Sequence, residues 1–247
     1  MAPSTASGGK TSGQKQGDRR ARKRSLAGRL FRILVAVVVV LVALPVVLVP
    51  LYAVVPPPVS TLELWQRVTG VAVERDWVPL EEIAPNLAYA VIMGEDGRFC
   101  EHGGVDWGAV KEVIETDASR GASTITMQVA KNLFLWPSRS YVRKALEVPL
   151  AYYQTAVWTK RRTIEIYLNI VEWGPGIFGA EAAARYWFDT SAAKLTLQQA
   201  ARLAAILPNP HLRNASRPGP QTSRYAQIIE GRTRQAGAYV QCIRSAG

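Results

Sequence analysis

Residues 33–62 contain no charged side chain, and from Ile33 to Val55 the chain is almost entirely Val, Leu, Ile and Ala. About 20 consecutive apolar residues suffice for a helix to cross the hydrocarbon core of a bilayer, so this run predicts a transmembrane helix over 33–55. Pro45 and Pro50 interrupt it, which a membrane helix tolerates better than a soluble one. A cleaved signal peptide would have a shorter apolar region, about 7–15 residues, and a small-residue cleavage site. This run is longer and ends in Val54-Val55-Pro56-Pro57-Pro58, so it reads as an uncleaved anchor.

Charge is placed unevenly around the anchor. Residues 1–32 hold nine Lys/Arg and one acid, Asp18, whereas the rest of the chain holds 21 bases and 18 acids. The basic balance therefore belongs to a tail and does not argue for nucleic-acid binding. Basic residues flanking a span stay on the cytoplasmic side, which predicts one span, a cytoplasmic tail and everything after about residue 60 outside. The Ser/Gly/Lys/Arg/Gln-rich tail predicts disorder, with anionic lipid headgroups as its contact. Gly8-Gly9-Lys10-Thr11 lacks the earlier glycine, strand and helix that a phosphate-binding loop needs. Pro56-Pro57-Pro58 predicts a short stiff spacer before the next domain.

Beyond residue 60 the periodicity is helical. Ile164, Tyr167, Leu168 and Val171 recur at i, i+3, i+4, i+7, one face of a helix. Thr196 to Gln199 is a capping box opening a run that Pro208 stops. Alternating strand patterns are scarce, the glycines at 94–108 and 174–179 predict loops, and the Arg/Pro/Gly/Ser-rich segment after Pro208 predicts a chain wrapping the surface. Cys100 and Cys242 could pair in an oxidising compartment, but sequence does not give their separation. The two histidines, His102 and His211, have no metal-site spacing with cysteines.

Polar residues concentrate in four places. Glu95-Asp96 closes an apolar stretch and faces a glycine-rich loop running to Asp106; burial there raises a carboxyl pKa toward the range of a general base. Arg120 to Asn132 sets small and hydroxyl residues before a helix, a common way to hold an anion. Arg143, Lys144 and Glu147 share a helix face, with Arg139 just before them. Lys160 to Asn169 repeats the basic/acidic pattern on an amphipathic helix. Taken singly, each has an ordinary structural reading: a turn, an N-cap, a solvated salt-bridge face.

Order and spacing together say more. Glu-Asp-x-x-Phe-x-x-His-x-Gly (95–104), Gly-x-Ser-Thr-Ile-Thr-x-Gln-x-x-Lys-Asn (121–132), Arg-Lys-x-x-Glu (143–147), Lys-x-x-x-Ile-Glu-x-Tyr-Leu-Asn (160–169) and Gly174-Pro-Gly-Ile-Phe-Gly179 through Tyr186 closely resemble the five-motif signature of the peptidoglycan glycosyltransferases, over roughly residues 80–210. The resemblance implies a mainly α, lysozyme-like helical glycosyltransferase domain behind one N-terminal transmembrane helix. It implies polymerisation of lipid II into β-1,4 glycan strands, with inversion and release of undecaprenyl pyrophosphate. At matching positions it implies Glu95 as general base and Glu147 as second essential carboxylate. Lys131, Arg139, Arg143 and Lys144 would hold the donor pyrophosphate, and Asp96, Ser123, Thr124, Gln128 and Asn132 would bind substrate along the cleft.

The expected organisation is a basic tail 1–32, a span 33–55, a spacer 56–62, a glycosyltransferase domain 63–212 and an Arg/Pro-rich segment 213–247. No cofactor is required on this reading, with a divalent cation (Mg2+ or Mn2+) at the pyrophosphate left open. The partners implied are lipid II, the growing glycan strand, the bilayer and other cell-wall synthesis proteins, and no nucleic acid. The expected location is the inner (cytoplasmic) membrane, with the catalytic domain periplasmic or extracellular. Three departures stand out: Met127 where the family usually has a glutamine, Pro149 in the helix after Glu147, and a short segment between Asp106 and Arg120. Ser191-Ala-Ala-Lys194 matches a transpeptidase pattern, but no lysine follows it to complete the set. The rival readings are a lysozyme-like enzyme that cleaves glycan, which would need no basic pyrophosphate cluster, and a catalytically weak membrane-anchored scaffold.

Overall fold

In the computed structural model, which describes residues 12–116, 123–138 and 140–244, the chain divides into a unit ending at Leu48 and a second unit from Val49 onward. The first is a single helix. α1 (Ser12–Tyr52) includes the apolar stretch Gly28–Tyr52, long and apolar enough to cross a membrane. The helix begins earlier than expected: from Ser12 the basic segment read as disordered is helical, and residues 1–11 lie outside the described part. Neither Pro45 nor Pro50 ends it.

The second unit starts with the last turn of α1, which is sewn to it. Trp158 Nε1 donates to Val49 O (2.6 Å), and Arg162 donates to Tyr52 O and Val55 O (both 2.9 Å). Arg75 donates to Pro57 O (2.5 Å), and the Trp77 ring lies 5.5 Å from both the Arg75 and Arg162 guanidinium carbons. Residues 56–58, read from sequence as a short stiff spacer, are held against the folded unit. The carbonyls of Pro57 and Pro58, without a helical partner, both accept from Arg75.

Helices dominate the second unit: α2 (Thr61–Val68), α3 (Pro85–Glu95), α4 (Trp107–Thr116), α5 (Ile125–Phe134), α6 (Tyr141–Val157), α7 (Lys160–Ile170), α8 (Ala180–Phe188), α9 (Leu197–Ile206) and α10 (Pro220–Arg234). Their starts obey the capping rules. Thr124, Ser140, Thr159 and Thr196 each accept from the third residue of the helix they open, and Thr196 with Gln199 closes the expected capping box. On α7 the four residues of the predicted face are all buried. Pro149 lies inside α6 without ending it. Proline deprives only one carbonyl of its partner, and Glu147 stays on a continuous helix.

The glycine-rich segment at 174–179 is more ordered than the loop expected there. β2 (Glu172–Gly174) and β3 (Ile177–Phe178) pair antiparallel, and β1 (Glu74–Arg75) joins β3 in parallel. α10 also departs from expectation: instead of an irregular wrap, it packs on α9 and α3. Gly219-Pro220 opens it with the residue pair that favours a first turn. Gly94 admits it closely, since a Cβ there would lie 3.0 Å from Ile229 Cδ1.

Cys100 and Cys242 form a disulfide, with Cα atoms 5.5 Å apart and a sequence separation of 142. It joins the loop after α3 to the 3-10 turn Gly237–Ile243. Closing so long a loop restricts the unfolded chain, typically for about 2–4 kcal/mol. Cys242→Ser is therefore expected to lower the melting temperature by about 5–15 °C. A thermal scan of wild type under strong reductant should reproduce that fall.

Candidate active site

α3 is apolar along its buried length and ends at Glu95. The side chain of Glu95 is half-buried at a cavity of about 1080 Å³. Desolvation pushes its pKa up, and Asp96 adds to the rise. A hydrogen bond from Gln128, with Lys131 and Arg213 nearby, opposes it. Gln128 is held in the orientation that makes this bond. Tyr167 Oη donates to Gln128 Oε1 (3.0 Å), and Gln128 Nε2 donates to Glu95 Oε2 (2.9 Å). Tyr167 is itself pushed well above the usual phenol range by burial, with Glu95 and Asp96 adding to it, so it remains a donor.

Asp96 behaves differently from its neighbour. It is 7 % exposed, its carboxylate oxygens lie 2.9 and 3.1 Å from His102 Nε2, and Oδ2 accepts from Ile125 N (2.9 Å). The side chain predicted to bind substrate is occupied in joining α3 to the start of α5. Thr124 is also engaged internally, capping α5 and donating to Gly104 O (2.6 Å). Gly104 adopts φ +104°, where a Cβ would come 2.8 Å from Ala151 O, so no side chain fits that close approach. Lys160 donates to His102 O (2.7 Å) and lies over the Phe99 ring. With Arg98 bonded to Asp106 and the disulfide at Cys100, the loop over 97–106 is fastened at many points.

The second cluster belongs to α5 and α6. Glu147 is 2 % exposed; Arg143 Nη1 donates to its Oε1, and Lys144 Nζ donates to its Oε2 (2.7 Å). The spacing read as a shared helix face is real, but its carboxylate is buried beneath two partly exposed cations. Lys144 also donates to Ser123 Oγ (2.7 Å), and Ser123 lines the cavity holding Glu95. Lys131 connects the two clusters. Burial drives its pKa down, assisted by Arg143 and Lys144, while Glu147 and Glu95 both pull it up. It is thus within electrostatic reach of both carboxylates. Asn132 is buried on α5, where its carbonyl accepts from Thr61 (2.9 Å). Arg139 lies outside the described residues, as do Arg120, Gly121 and Ala122.

Met127 explains one departure from the expected pattern. It is buried in an apolar cluster with Val105 and Ala151, against Val148, so it faces packing and not the cavity. Sequence reasoning missed the far wall of the cavity: Arg213, and Gln221, Arg224, Tyr225, Ile228 and Arg232 of α10. The buried side of that helix is Thr222, Ala226, Ile229 and Thr233, too small and polar to show as an apolar period.

The arrangement sets a desolvated carboxylate in a cavity and, across a shared lysine, a cluster of cations around a buried carboxylate. It can deprotonate a hydroxyl on one side and neutralise a departing anion on the other. The sequence model of the family described as Transglycosylase matches residues 63–233. A biosynthetic peptidoglycan transglycosylase of Agrobacterium fabrum (strain C58 / ATCC 33970) is 52% identical over 227 residues, covering 89% of this chain and 98% of the relative. One of the same name from Brucella suis biovar 1 (strain 1330) is 55% identical over 191 residues, covering 76% and 85%. Another from Rhodopseudomonas palustris (strain TIE-1) is 55% identical over 184 residues, covering 72% and 78%.

Proposed function

We propose, because the chain belongs to the transglycosylase family and is a lysozyme-like peptidoglycan glycosyltransferase of cell-wall synthesis, that it polymerises lipid II at the outer face of the membrane. Glu95 takes the proton from the 4-hydroxyl of the acceptor sugar. That oxygen attacks the anomeric carbon of the donor as its bond to the diphosphate breaks, and undecaprenyl pyrophosphate leaves. Attack from the face opposite the leaving group inverts the α donor to a β-1,4 link, whereas a two-carboxylate glycosidase would activate water. The observation that carries this reading is the joining of the Glu95 cavity to the cation cluster: Ser123 lines the cavity and accepts from Lys144, which also donates to Glu147.

Lys131, Arg143 and Lys144, with Arg139, receive the diphosphate charge, and Glu147 holds Arg143 and Lys144 in place before substrate arrives. Ser123 and Gln128 face substrate; Asp96, Thr124 and Asn132 position the elements that carry the site. A divalent cation would find Glu147 already accepting from two cations, and among the described residues no group of His, Cys, Asp and Glu could cage it. Charge neutralisation is assigned to the side chains, and a divalent cation at the diphosphate would be held by Glu147 together with diphosphate oxygens and water. Residues 33–55 anchor the enzyme with its N-terminus cytoplasmic. The basic flank supports this orientation, and so does a disulfide in the catalytic unit.

The test is incubation of detergent-solubilised protein with labelled lipid II. Polymer and free undecaprenyl pyrophosphate should appear together, and pre-formed glycan should remain intact; cleavage without polymer would establish the hydrolase instead. Arg143→Ala should raise KM for lipid II roughly ten-fold or more, with a smaller effect on thermal stability. Unchanged KM and turnover would remove Arg143 from the diphosphate site.

A further inference from the structure

The Glu95 cavity has a wall that the proposed reaction does not use. Gln221, Arg224, Ile228, Arg232 and Gln235 line it, at spacings of three and four residues that place them on one stripe of α10 and its C-cap. Tyr225 fixes this helix to the base-bearing one, its hydroxyl donating to Gly94 O (2.8 Å). The side chains of Arg224 and Arg232 make no hydrogen bond or ion pair among the described residues, in contrast to Arg234, which pairs with Glu230 (2.7 Å). Their solvent-facing charge is therefore available to a ligand.

The cavity also has room beyond the reacting sugars. At about 1080 Å³ it exceeds the usual span of about 300–1,000 Å³ for a small-molecule pocket. Eight residues of helix separate Arg224 from Arg232, a rise of about 12 Å, close to the length of one disaccharide unit. Ile228 and Tyr239, both half-exposed, offer apolar faces alongside.

We infer that α10 forms a peptide-binding rail, in which Arg224 and Arg232 take carboxylates of the peptide side chains carried by the sugars seated against Glu95. The inference rests on the glycosyltransferase reading. Guanidinium groups bind carboxylates with paired N–H donors, and an anion could reach them from either of two parts of the substrate, a peptide carboxylate or a lipid diphosphate. Carboxylates are favoured, because the diphosphate of the donor has the separate cation set around Glu147, on elements that do not include α10.

The experiment compares wild type with Arg224→Gln/Arg232→Gln and Arg224→Lys/Arg232→Lys on two substrates: lipid II with free peptide carboxylates, and lipid II with those carboxylates amidated. The glutamine pair should lower kcat/KM roughly three- to ten-fold on the free-carboxylate substrate, and the lysine pair should restore part of it. Wild type should show the same fall on amidated substrate, with no further loss in the glutamine pair, and its preference should shrink with added salt. Equal losses on both substrates would overturn the inference in favour of the diphosphate, and no loss on either would remove the rail altogether. Wild type without polymer on either substrate would instead refute the glycosyltransferase reading.

Discussion

Glu95→Gln is expected to fold, to bind lipid II and to form no polymer, with turnover down about 10²–10⁴-fold, the usual contribution of a positioned general base. The amide keeps the shape and the contact to Gln128 but cannot accept a proton. In wild type the rate should rise with pH along a limb set above the ordinary glutamate value of about 4.3, because burial raises the Glu95 pKa. The same shift has a sign for stability. The folded state holds the Glu95 proton to higher pH than the unfolded chain does, so its stabilising contribution is complete below the unfolded pKa and is lost as pH rises through the folded one. Glutamine has no proton to lose. The variant should therefore match wild type at acid pH and melt higher at neutral pH; a lower melting point at neutral pH would contradict the burial of Glu95.

Glu147→Gln should also abolish most activity, through a different route. The carboxylate accepts from both Arg143 and Lys144 at 2 % exposure. Removing its charge leaves both cations and Lys131 without the counter-charge that arranges them. Loss of one charge-assisted partner at a preorganised electrostatic site costs about 10²–10³-fold in turnover, and about 1–3 kcal/mol in stability. Unlike Glu95→Gln, this variant should melt lower than wild type at neutral pH and should bind lipid II poorly. Opposite changes in melting point from two conservative carboxylate-to-amide substitutions would separate the base from the organiser. A Glu147→Gln enzyme with normal turnover would leave the cation cluster without a function.

How much of this was legible depends on the range of the interactions involved. α7 and α9 could be read because their apolar period and capping residues lie within a few positions of each other. Arg143, Lys144 and Glu147 could be placed on one face for the same reason, but sequence could not say that Glu147 is buried, since its burial comes from α5 packing on α6. The Cys100–Cys242 bond, the hold of Arg75 and Arg162 on residues 52–58, and the α10 wall all join segments far apart in the chain. Asp96 illustrates the limit most clearly. It adjoins the proposed base, has the same charge, and differs only in that Ile125 N and His102 come from elsewhere to occupy it.

The disulfide has a consequence for when the enzyme can work. Cys100 belongs to the first motif, and Cys242 follows every other element of the site. A chain made from its N-terminus presents Cys100 first and waits for its partner. At about 5–20 residues per second, the 142-residue interval is a delay on the order of ten seconds. Through most of that interval α10 has not been made, and until Cys242 appears the loop beside Glu95 lacks its covalent staple. The α10 wall of the cavity and the covalent staple beside Glu95 are thus completed together, as the last part of the chain is made.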